Sequence, residues 1–166
     1  FNTAGLQMSN IICSDEVLRR RIDRVINIFE VCEVNPFGPD ALVAAYNESE
    51  EWLDELNRYL YDNYLELKRF FAEYMPKIEV LKLEGTYLVW VDISALEFTS
   101  DELEAKLRDE GKVYLNSGTM YGRRAGQGYM RINIACPRSR MIDGLTRMAK
   151  VLAPYMEDDC DLGCPS

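Results

Sequence analysis

Apolar side chains in the first part of the chain recur every three or four residues, which is the period of an amphipathic helix. Residues 15–29 carry one such stripe, and Asp15 is a suitable N-cap for it. Residues 9–13, which include two adjacent isoleucines, predict a short strand before this helix. After a proline-containing break, Pro39 suits the first turn of a second helix that continues to Tyr46.

A longer apolar stripe predicts a third helix, which Pro76 ends. Asn47, with Glu50 three residues later, has the spacing of a capping box for the start of this helix. The apolar and aromatic residues along it are Trp52, Leu53, Leu56, Tyr59, Leu60, Tyr64, Leu67, Phe70 and Phe71.

From residue 78 onward, short apolar runs separated by turn residues replace the helical period and predict strands. Residues 78–83 and 86–93 flank Glu84-Gly85, which has the composition of a hairpin turn. The continuous apolar run at residues 88–91 predicts a strand that is covered on both sides. Thr99 and Glu102 form a second capping-box pattern.

The helix that follows this second capping box ends at Gly111, and a short strand is predicted at residues 113–115. A glycine-rich loop then leads to the last strand, residues 129–135. Its alternation places Met130, Ile132 and Ile134 on one face and Tyr129, Arg131 and Asn133 on the other. Pro137 opens a final helix with the apolar stripe Met141, Leu145, Met148 and Leu152.

The order of elements from residue 47 predicts a two-layer α+β domain with a mostly antiparallel four-stranded sheet, and we assign residues 47–155 to this small domain. The elements of residues 1–46 would leave apolar faces uncovered. We therefore expect them to be the C-terminal remnant of a larger α/β domain. Residues 156–166 form an acidic tail that we expect to be disordered.

Charge and composition exclude several classes of function. The chain has 19 Lys and Arg against 28 Asp and Glu, a net charge of −9, which argues against nucleic acid and anionic membranes as partners. It contains no histidine, so Ser-His-Asp catalysis, Cys-His catalysis and His-ligated metal sites are impossible within it. No apolar run approaches the roughly 20 residues that span a bilayer.

The five cysteines show no zinc-finger or CxxC spacing, and we expect no metal site. Cys13 and Cys136 are predicted to be small core residues within strands. Unpaired cysteines of this kind indicate a reducing compartment, so a cytoplasmic location is expected.

Five segments, in order, resemble the class I/II aminotransferase family of fold type I, and within it the cystathionine β-lyase (C–S lyase) branch. They are Phe1–Leu6 (FNTAGL), Asn35–Gly38 (NPFG), Ala44–Asn47 (AAYN) with Trp52-Leu53, Glu84–Trp90 (EGTYLVW) and Tyr129–Arg138 (YMRINIACPR). Together they extend over most of the chain up to about residue 153.

In that family, a lysine two residues before the opening Phe forms a Schiff base with pyridoxal 5'-phosphate. The lysines of this chain do not occupy that position, so no catalytic residue is assigned within it. The resemblance implies that residues 1–46 end the large cofactor-binding domain and that the chain is the C-terminal part of an enzyme. We expect this part to be inactive alone and to bind no pyridoxal phosphate by itself.

The resemblance also implies positions for cofactor-binding residues. Asn2 and Gly5 would lie near the cofactor, just after the Schiff-base lysine. Asn35 would belong to a loop that reaches the active site of the partner subunit, since the family forms homodimers with active sites between subunits.

Arg131 is the substrate-binding candidate, because the resemblance places the carboxylate-binding arginine of the family at this position. A planar guanidinium can bind an α-carboxylate through two parallel hydrogen bonds, and a strand fixes its orientation. Asn133 shares the predicted face and could support the guanidinium. The alternative is an exposed arginine in a weak surface salt bridge.

The loop at residues 116–122 has the glycines of a phosphate-binding loop but lacks its Gly-Lys-Ser/Thr ending. We interpret it as a mobile segment at the border of the substrate entrance. Trp52, Trp90 and the tyrosines are interpreted as core and interface residues.

The function expected from the resemblance is that of a pyridoxal-phosphate-dependent aminotransferase or C–S β-lyase acting on amino acids such as cystathionine-like thioethers. The sequence leaves the choice between transamination and β-elimination open, along with the substrate. One alternative is a noncatalytic, freestanding small-domain module for oligomerisation or amino-acid sensing. Another is an unrelated α+β binding domain.

Overall fold

The computed structural model describes residues 1–157, and the chain divides into two units, Phe1–Leu56 and Asn57–Ser166. The boundary predicted after residue 46 falls inside the second helix of the first unit. The predicted acidic tail lies outside the described residues, except for residues 156–157.

The first unit contains the helix α1, Glu16–Ile28. The Asp15 carboxylate accepts a hydrogen bond from the Leu18 backbone N–H at 2.8 Å, which confirms the predicted N-cap. The predicted strand at residues 9–13 is wrong, since these residues have no regular structure. A strand requires a neighbouring strand as backbone hydrogen-bond partner, and two isoleucines cannot supply one.

The helix α2, Gly38–Glu48, begins with a proline in its first turn, as predicted. The capping box predicted at Asn47 is wrong, because Asn47 lies within α2 and the next helix, α3, spans Glu50–Tyr74. A residue with helical backbone angles cannot adopt the extended conformation of an N-cap. The end of α3 before Pro76 is confirmed.

The second unit contains a four-stranded sheet of the order β1-β2-β4-β3, with every neighbouring pair antiparallel. This confirms the predicted α+β fold. Its elements are β1 (Glu79–Val80), β2 (Leu88–Asp92), α4 (Ser100–Gly111), β3 (Asn116–Ser117), β4 (Tyr129–Asn133) and α5 (Arg138–Leu152). The strand predicted at residues 113–115 therefore begins later, at Asn116.

One face of this sheet is buried and the other is partly open. Val89 and Val91 of β2 and Met130 and Ile132 of β4 are buried. Residues of α3, α4 and α5 are buried as well, among them Leu67, Phe71, Leu103, Leu107, Leu145 and Met148. Leu88 and Trp90 are only half-buried, so the prediction that residues 88–91 are covered on both sides is wrong. An antiparallel sheet can expose one face to solvent, unlike a parallel sheet between helix layers.

The helix α4 begins with the predicted capping box. The Thr99 hydroxyl accepts from the Glu102 backbone N–H at 3.2 Å, and the Glu102 carboxylate accepts from the Thr99 backbone N–H at 2.8 Å. These hydrogen bonds satisfy two backbone donors that a helix start would otherwise leave unpaired.

Asn63 of α3 is fully buried and holds the segment that follows β4. Its side-chain N–H donates to the carbonyls of Ile134 at 3.0 Å and Cys136 at 3.1 Å, and its oxygen accepts from Arg138 Nε at 3.1 Å. Cys136 follows β4 in an irregular segment, and Cys13 precedes α1 in another. Both are only half-buried, so their predicted placement as core residues in strands is wrong.

Candidate functional site

Arg131 lies in the middle of β4, on the face of the sheet that is partly open. In the strand register its neighbours are Trp90 on β2 and Asn116 on β3. Directly opposite residues of antiparallel strands project to the same face. The three side chains therefore form a row across three strands, with the half-buried Arg131 at its centre.

Tyr121, in the 3-10 turn after β3, completes this group. The guanidinium carbon of Arg131 lies over the Tyr121 ring, 4.1 Å from the ring centroid. The Trp90 ring meets the Tyr121 ring edge-on, with centroids 5.5 Å apart and planes at 87°. Asn116 donates a side-chain hydrogen bond to the Tyr121 hydroxyl oxygen at 2.9 Å. Tyr121 thus contacts all three members of the row.

The Arg131 guanidinium forms no ion pair within residues 1–157. In the same part of the chain, Arg20, Arg69, Arg108, Arg138 and Arg147 each pair with a carboxylate. The alternative of a surface salt bridge is therefore not supported for Arg131. Its N–H donors are available to a ligand that carries a carboxylate.

Two cavities border this group. One, of about 330 Å³, is lined by Arg131, Trp90 and Leu88 together with the β1–β2 connection, residues 81–86. The other, of about 250 Å³, is lined by Trp90, Tyr121, Leu81, Gly118, Ala125, Gly126 and Tyr129. A guanidinium at the edge of an aromatic and aliphatic surface can bind a carboxylate whose attached carbons are apolar.

Asn133 lies at the end of β4 and is exposed. Its side-chain oxygen accepts a hydrogen bond from the Ala135 backbone N–H at 2.8 Å. The structure thus places Asn133 on the same strand face as Arg131 and engages its oxygen in a local turn. Support of the guanidinium by Asn133 stays a prediction.

The three residues predicted to bind the cofactor all belong to the first unit. Asn2 is exposed with a left-handed backbone angle, φ 53°. Gly5 is exposed in a 3-10 turn, and a Cβ at this position would meet no atom within 4 Å. The Asn35 side-chain oxygen accepts from the Phe37 N–H at 2.9 Å and so forms a local turn. Their cofactor roles stay predictions.

The sequence did not predict that Tyr121, Asn116 and Trp90 lie next to Arg131. The alternation along residues 86–93 assigns Trp90 to a face, but strand register decides which residue it meets. Tyr121 lies in a glycine-rich turn without a periodic pattern. The signal that could have found it is the pairing of an aromatic residue with a strand arginine, which requires the three-dimensional fold.

The chain and its fold are similar to those of known proteins. The model of the family described as aminotransferase class I and II matches residues 1–147. The chain is 37% identical to cystathionine beta-lyase PatB of Bacillus subtilis (strain 168) over 153 residues, which cover 92% of this chain and 39% of that protein.

Two solved structures share the fold. The PLP-bound putative aminotransferase from Clostridium difficile 630 superimposes with a TM-score of 0.86 and 41% identity, over 92% of this chain and 39% of that one. Cystalysin from Treponema denticola, which contains a pyridoxal 5'-phosphate cofactor, gives a TM-score of 0.87 and 31% identity, over 93% of this chain and 39% of that one.

The chain belongs to the aminotransferase class I and II family, and the resemblance drawn from its motifs is confirmed. It is similar to cystathionine beta-lyases and spans 39% of the length of PatB. Across residues 1–157, no helix has the combined length and hydropathy for crossing a membrane. In the same residues, no three His, Cys, Asp or Glu side chains are grouped in a way that could hold a metal ion.

Two lysines of residues 1–157, Lys82 and Lys106, are held in ion pairs that do not suit a Schiff-base lysine. A Schiff-base lysine requires an uncharged amine within a cradle for the cofactor. Lys82 pairs with Glu84 at 3.1 Å and Lys106 with Glu110 at 2.8 Å. The Glu110 hydrogen bond raises the pKa of Lys106.

Proposed function

We propose that this chain supplies the substrate-carboxylate-binding part of a pyridoxal-phosphate-dependent aminotransferase or C–S β-lyase that acts on amino acids such as cystathionine-like thioethers. The observation that carries the proposal is the Arg131 guanidinium, which is held on a strand over Tyr121 and has no carboxylate partner among residues 1–157. The similarity to cystathionine beta-lyases and PLP-bound enzymes supports the class of substrate.

The role of Arg131 follows from the chemistry of its ligand. An amino acid has one fixed anionic group, the α-carboxylate, and a guanidinium can donate two parallel hydrogen bonds to it. Two bonds fix the plane of the carboxylate and so orient the bonds at the adjacent Cα. Because the binding residue lies on a strand of a packed sheet, it can orient the reacting carbon with little loss of freedom on binding.

We infer that the cofactor is held by polypeptide that the relatives possess and that this chain does not match. The relatives are more than twice as long as the matched region, since the chain spans 39% of their length. In the complete protein, Asn2 and Gly5 would approach this cofactor from the first unit, and Asn35 would do so from the partner subunit of a homodimer. The chain alone is expected to be inactive.

Steady-state kinetics of Arg131→Ala and Arg131→Lys in the complete protein test the proposal. We expect Arg131→Ala to raise KM for the amino acid about 100-fold, the loss expected from two charge-assisted hydrogen bonds. Arg131→Lys should recover part of this loss, since an ammonium keeps the charge but not the planar pair of donors.

Arg108→Ala is the matched control, because it removes a half-buried arginine of α4 that pairs with Asp109. Its KM should equal that of the unmodified protein. Unchanged kinetics in Arg131→Ala, or a change equal to that of Arg108→Ala, would remove the assignment.

The reaction branch is tested by its products. With a thioether amino acid and no keto acid, a β-lyase uses water to release a thiol, pyruvate and ammonia. An aminotransferase consumes an added keto acid and forms a new amino acid. The complete protein should give one of these product sets, and neither would form if the chain belonged to a noncatalytic module.

A further inference from the structure

We propose that Tyr121 is a positioning residue, whose ring holds the Arg131 guanidinium in the orientation that binds the α-carboxylate. The inference rests on the proposed function of Arg131 and extends it to a second side chain. The geometric basis is the 4.1 Å separation between the guanidinium carbon and the ring centroid.

A tyrosine ring face is negative and attracts a cation placed over it. An arginine side chain has several rotatable bonds, so a guanidinium without such a partner samples many orientations. A ligand must then pay the entropy of fixing one orientation before it gains the hydrogen bonds. The ring of Tyr121 removes part of this cost, because the guanidinium lies over it.

The Tyr121 ring is itself fixed by the two strands that flank β4. Trp90 of β2 contacts it edge-on, and Asn116 of β3 donates a hydrogen bond to its hydroxyl at 2.9 Å. Because both residues are the register neighbours of Arg131, the ring is held from either side of the arginine. A ring with these two contacts can orient a guanidinium better than a freely rotating one.

The turn that carries Tyr121 is anchored to α4. Ser117, which is nearly fully buried, and Thr119 both donate hydroxyl hydrogen bonds to the Asp101 carboxylate, each at 2.5 Å. Glu104 accepts from the Ser117 backbone N–H at 3.1 Å. The segment interpreted from sequence as mobile is therefore tied to a helix of the core by three hydrogen bonds at its start.

The backbones at Gly118 and Gly126 approach each other so closely that a Cβ on either would overlap the other's backbone. The hydroxyl of Ser100, also buried, donates to the Gly126 carbonyl at 3.2 Å and accepts from the Gly128 N–H at 2.9 Å. The turn before Tyr121 and the strand that carries Arg131 are thus connected by direct backbone packing. This packing holds the backbone of the turn close to the start of β4.

The test compares Tyr121→Leu and Tyr121→Phe in the complete holoenzyme. The readout is the preference for a carboxylate, defined as the ratio of the dissociation constants of L-alaninamide and L-alanine. We expect Tyr121→Leu to lower this preference about tenfold, the effect of losing a partly desolvated cation–π contact. Tyr121→Phe keeps the ring face and should stay within about twofold of the unmodified protein.

The same variants separate positioning from a merely structural role. A general loosening of the domain would weaken the binding of both ligands equally and leave the preference unchanged. Positioning also predicts a KM for the amino acid that rises about tenfold in Tyr121→Leu, with kcat changed by less than about twofold. If Tyr121→Leu yields no folded protein, Tyr121→Met provides a second variant without a ring.

Arg131→Ala distinguishes a failure of the positioning role of Tyr121 from a failure of the proposed function of Arg131. If it removes the carboxylate preference while Tyr121→Leu retains it, the positioning role is overturned and the proposed function of Arg131 stands. If Arg131→Ala itself retains the preference, the proposed function fails. An equal loss in Tyr121→Phe and Tyr121→Leu would assign the effect to the hydroxyl and overturn the role of the ring.

Discussion

The two units of the chain differ in what stabilises them. In the second unit, strands and helices bury apolar side chains from Leu60 to Leu152. In the first unit, all of whose residues are described, Gly38 is the only buried residue. The apolar stripe of α1 remains largely exposed, including Val17, Leu18, Val25 and Ile28. The first unit has helices without a core, and the second has a core.

This difference shows that local sequence signals and tertiary packing contribute separately to the stability of a helix. The helix α1 has an N-cap at Asp15 and an ion pair between Glu16 and Arg20, one turn apart. Such local interactions each contribute less than about 2 kcal/mol, and an isolated helix of this length is marginal in water. The exposed stripe is a surface suited to burial against further polypeptide, in agreement with the proposal that the complete protein is longer.

The largest expected effect contrasts two leucines in helices. Leu67 of α3 is fully buried, whereas Leu18 of α1 is 48% exposed. We expect Leu67→Ala to lower the free energy of unfolding by about 3–4 kcal/mol, through lost burial and a cavity. Leu18→Ala should change it by less than about 1 kcal/mol. Urea unfolding followed by far-ultraviolet circular dichroism measures both.

The two tryptophans assign each change to a unit, because Trp52 lies in the first and Trp90 in the second. Trp52→Phe leaves Trp90 as the fluorescent probe of the core, and Trp90→Phe leaves Trp52 as the probe of the first unit. If Leu67→Ala and Leu18→Ala lower the free energy of unfolding by the same amount, as reported by either tryptophan, the contrast between the units is contradicted.

A smaller effect is expected for two asparagines. Asn63→Ala removes the buried side chain that donates to two backbone carbonyls, and should lower the free energy of unfolding by about 2–3 kcal/mol. Asn27→Ala removes an exposed hydrogen bond to the Asp23 carbonyl in α1 and replaces Asn by a better helix former. It should change stability by no more than about 0.5 kcal/mol. If Asn27→Ala lowered the free energy of unfolding more than Asn63→Ala, the greater contribution of the buried asparagine would be contradicted.

The smallest expected effect is a change in folding stability at acidic pH. Hydrogen bonds from Ser117 and Thr119 lower the pKa of Asp101 in the folded chain. The charged carboxylate therefore stabilises the second unit fully above the unfolded pKa of about 3.9, and this contribution is lost as pH falls through the lower, folded pKa. Asp101→Asn should be less stable than the unmodified chain at neutral pH, and the difference should shrink below about pH 4.

Asp15→Asn is the control in the first unit, because asparagine is an equally good N-cap. It should leave the transition reported by Trp90 unchanged at every pH. A difference between Asp101→Asn and the unmodified chain that stays constant from neutral to acidic pH would show that the charge of Asp101 does not stabilise the fold.

Elements specified by nearby residues could be predicted from the sequence. The capping box of Thr99 and Glu102 and the end of α3 before Pro76 depend on contacts within one turn, and both are confirmed. The strand predicted at residues 9–13 and the cap predicted at Asn47 are wrong because the outcome depends on neighbours elsewhere. A strand needs a partner, and a cap needs the preceding helix to have ended.

The candidate site likewise combines a residue that local sequence predicts with one that depends on distant contacts. Arg131 could be predicted, because a motif and a two-residue alternation assign it to a face of β4. Tyr121 could not, because its contact with Arg131 depends on the register of three strands and on the close approach of Gly118 and Gly126. These features join residues that are distant in sequence, and no local pattern records them.

The most direct test is a crystal structure of the complete protein with an amino acid bound. We expect both carboxylate oxygens to lie about 2.7–2.9 Å from guanidinium nitrogens of Arg131, the distance of charge-assisted hydrogen bonds. A carboxylate bound by a different residue, with Arg131 directed to solvent or to a protein carboxylate, would contradict the account.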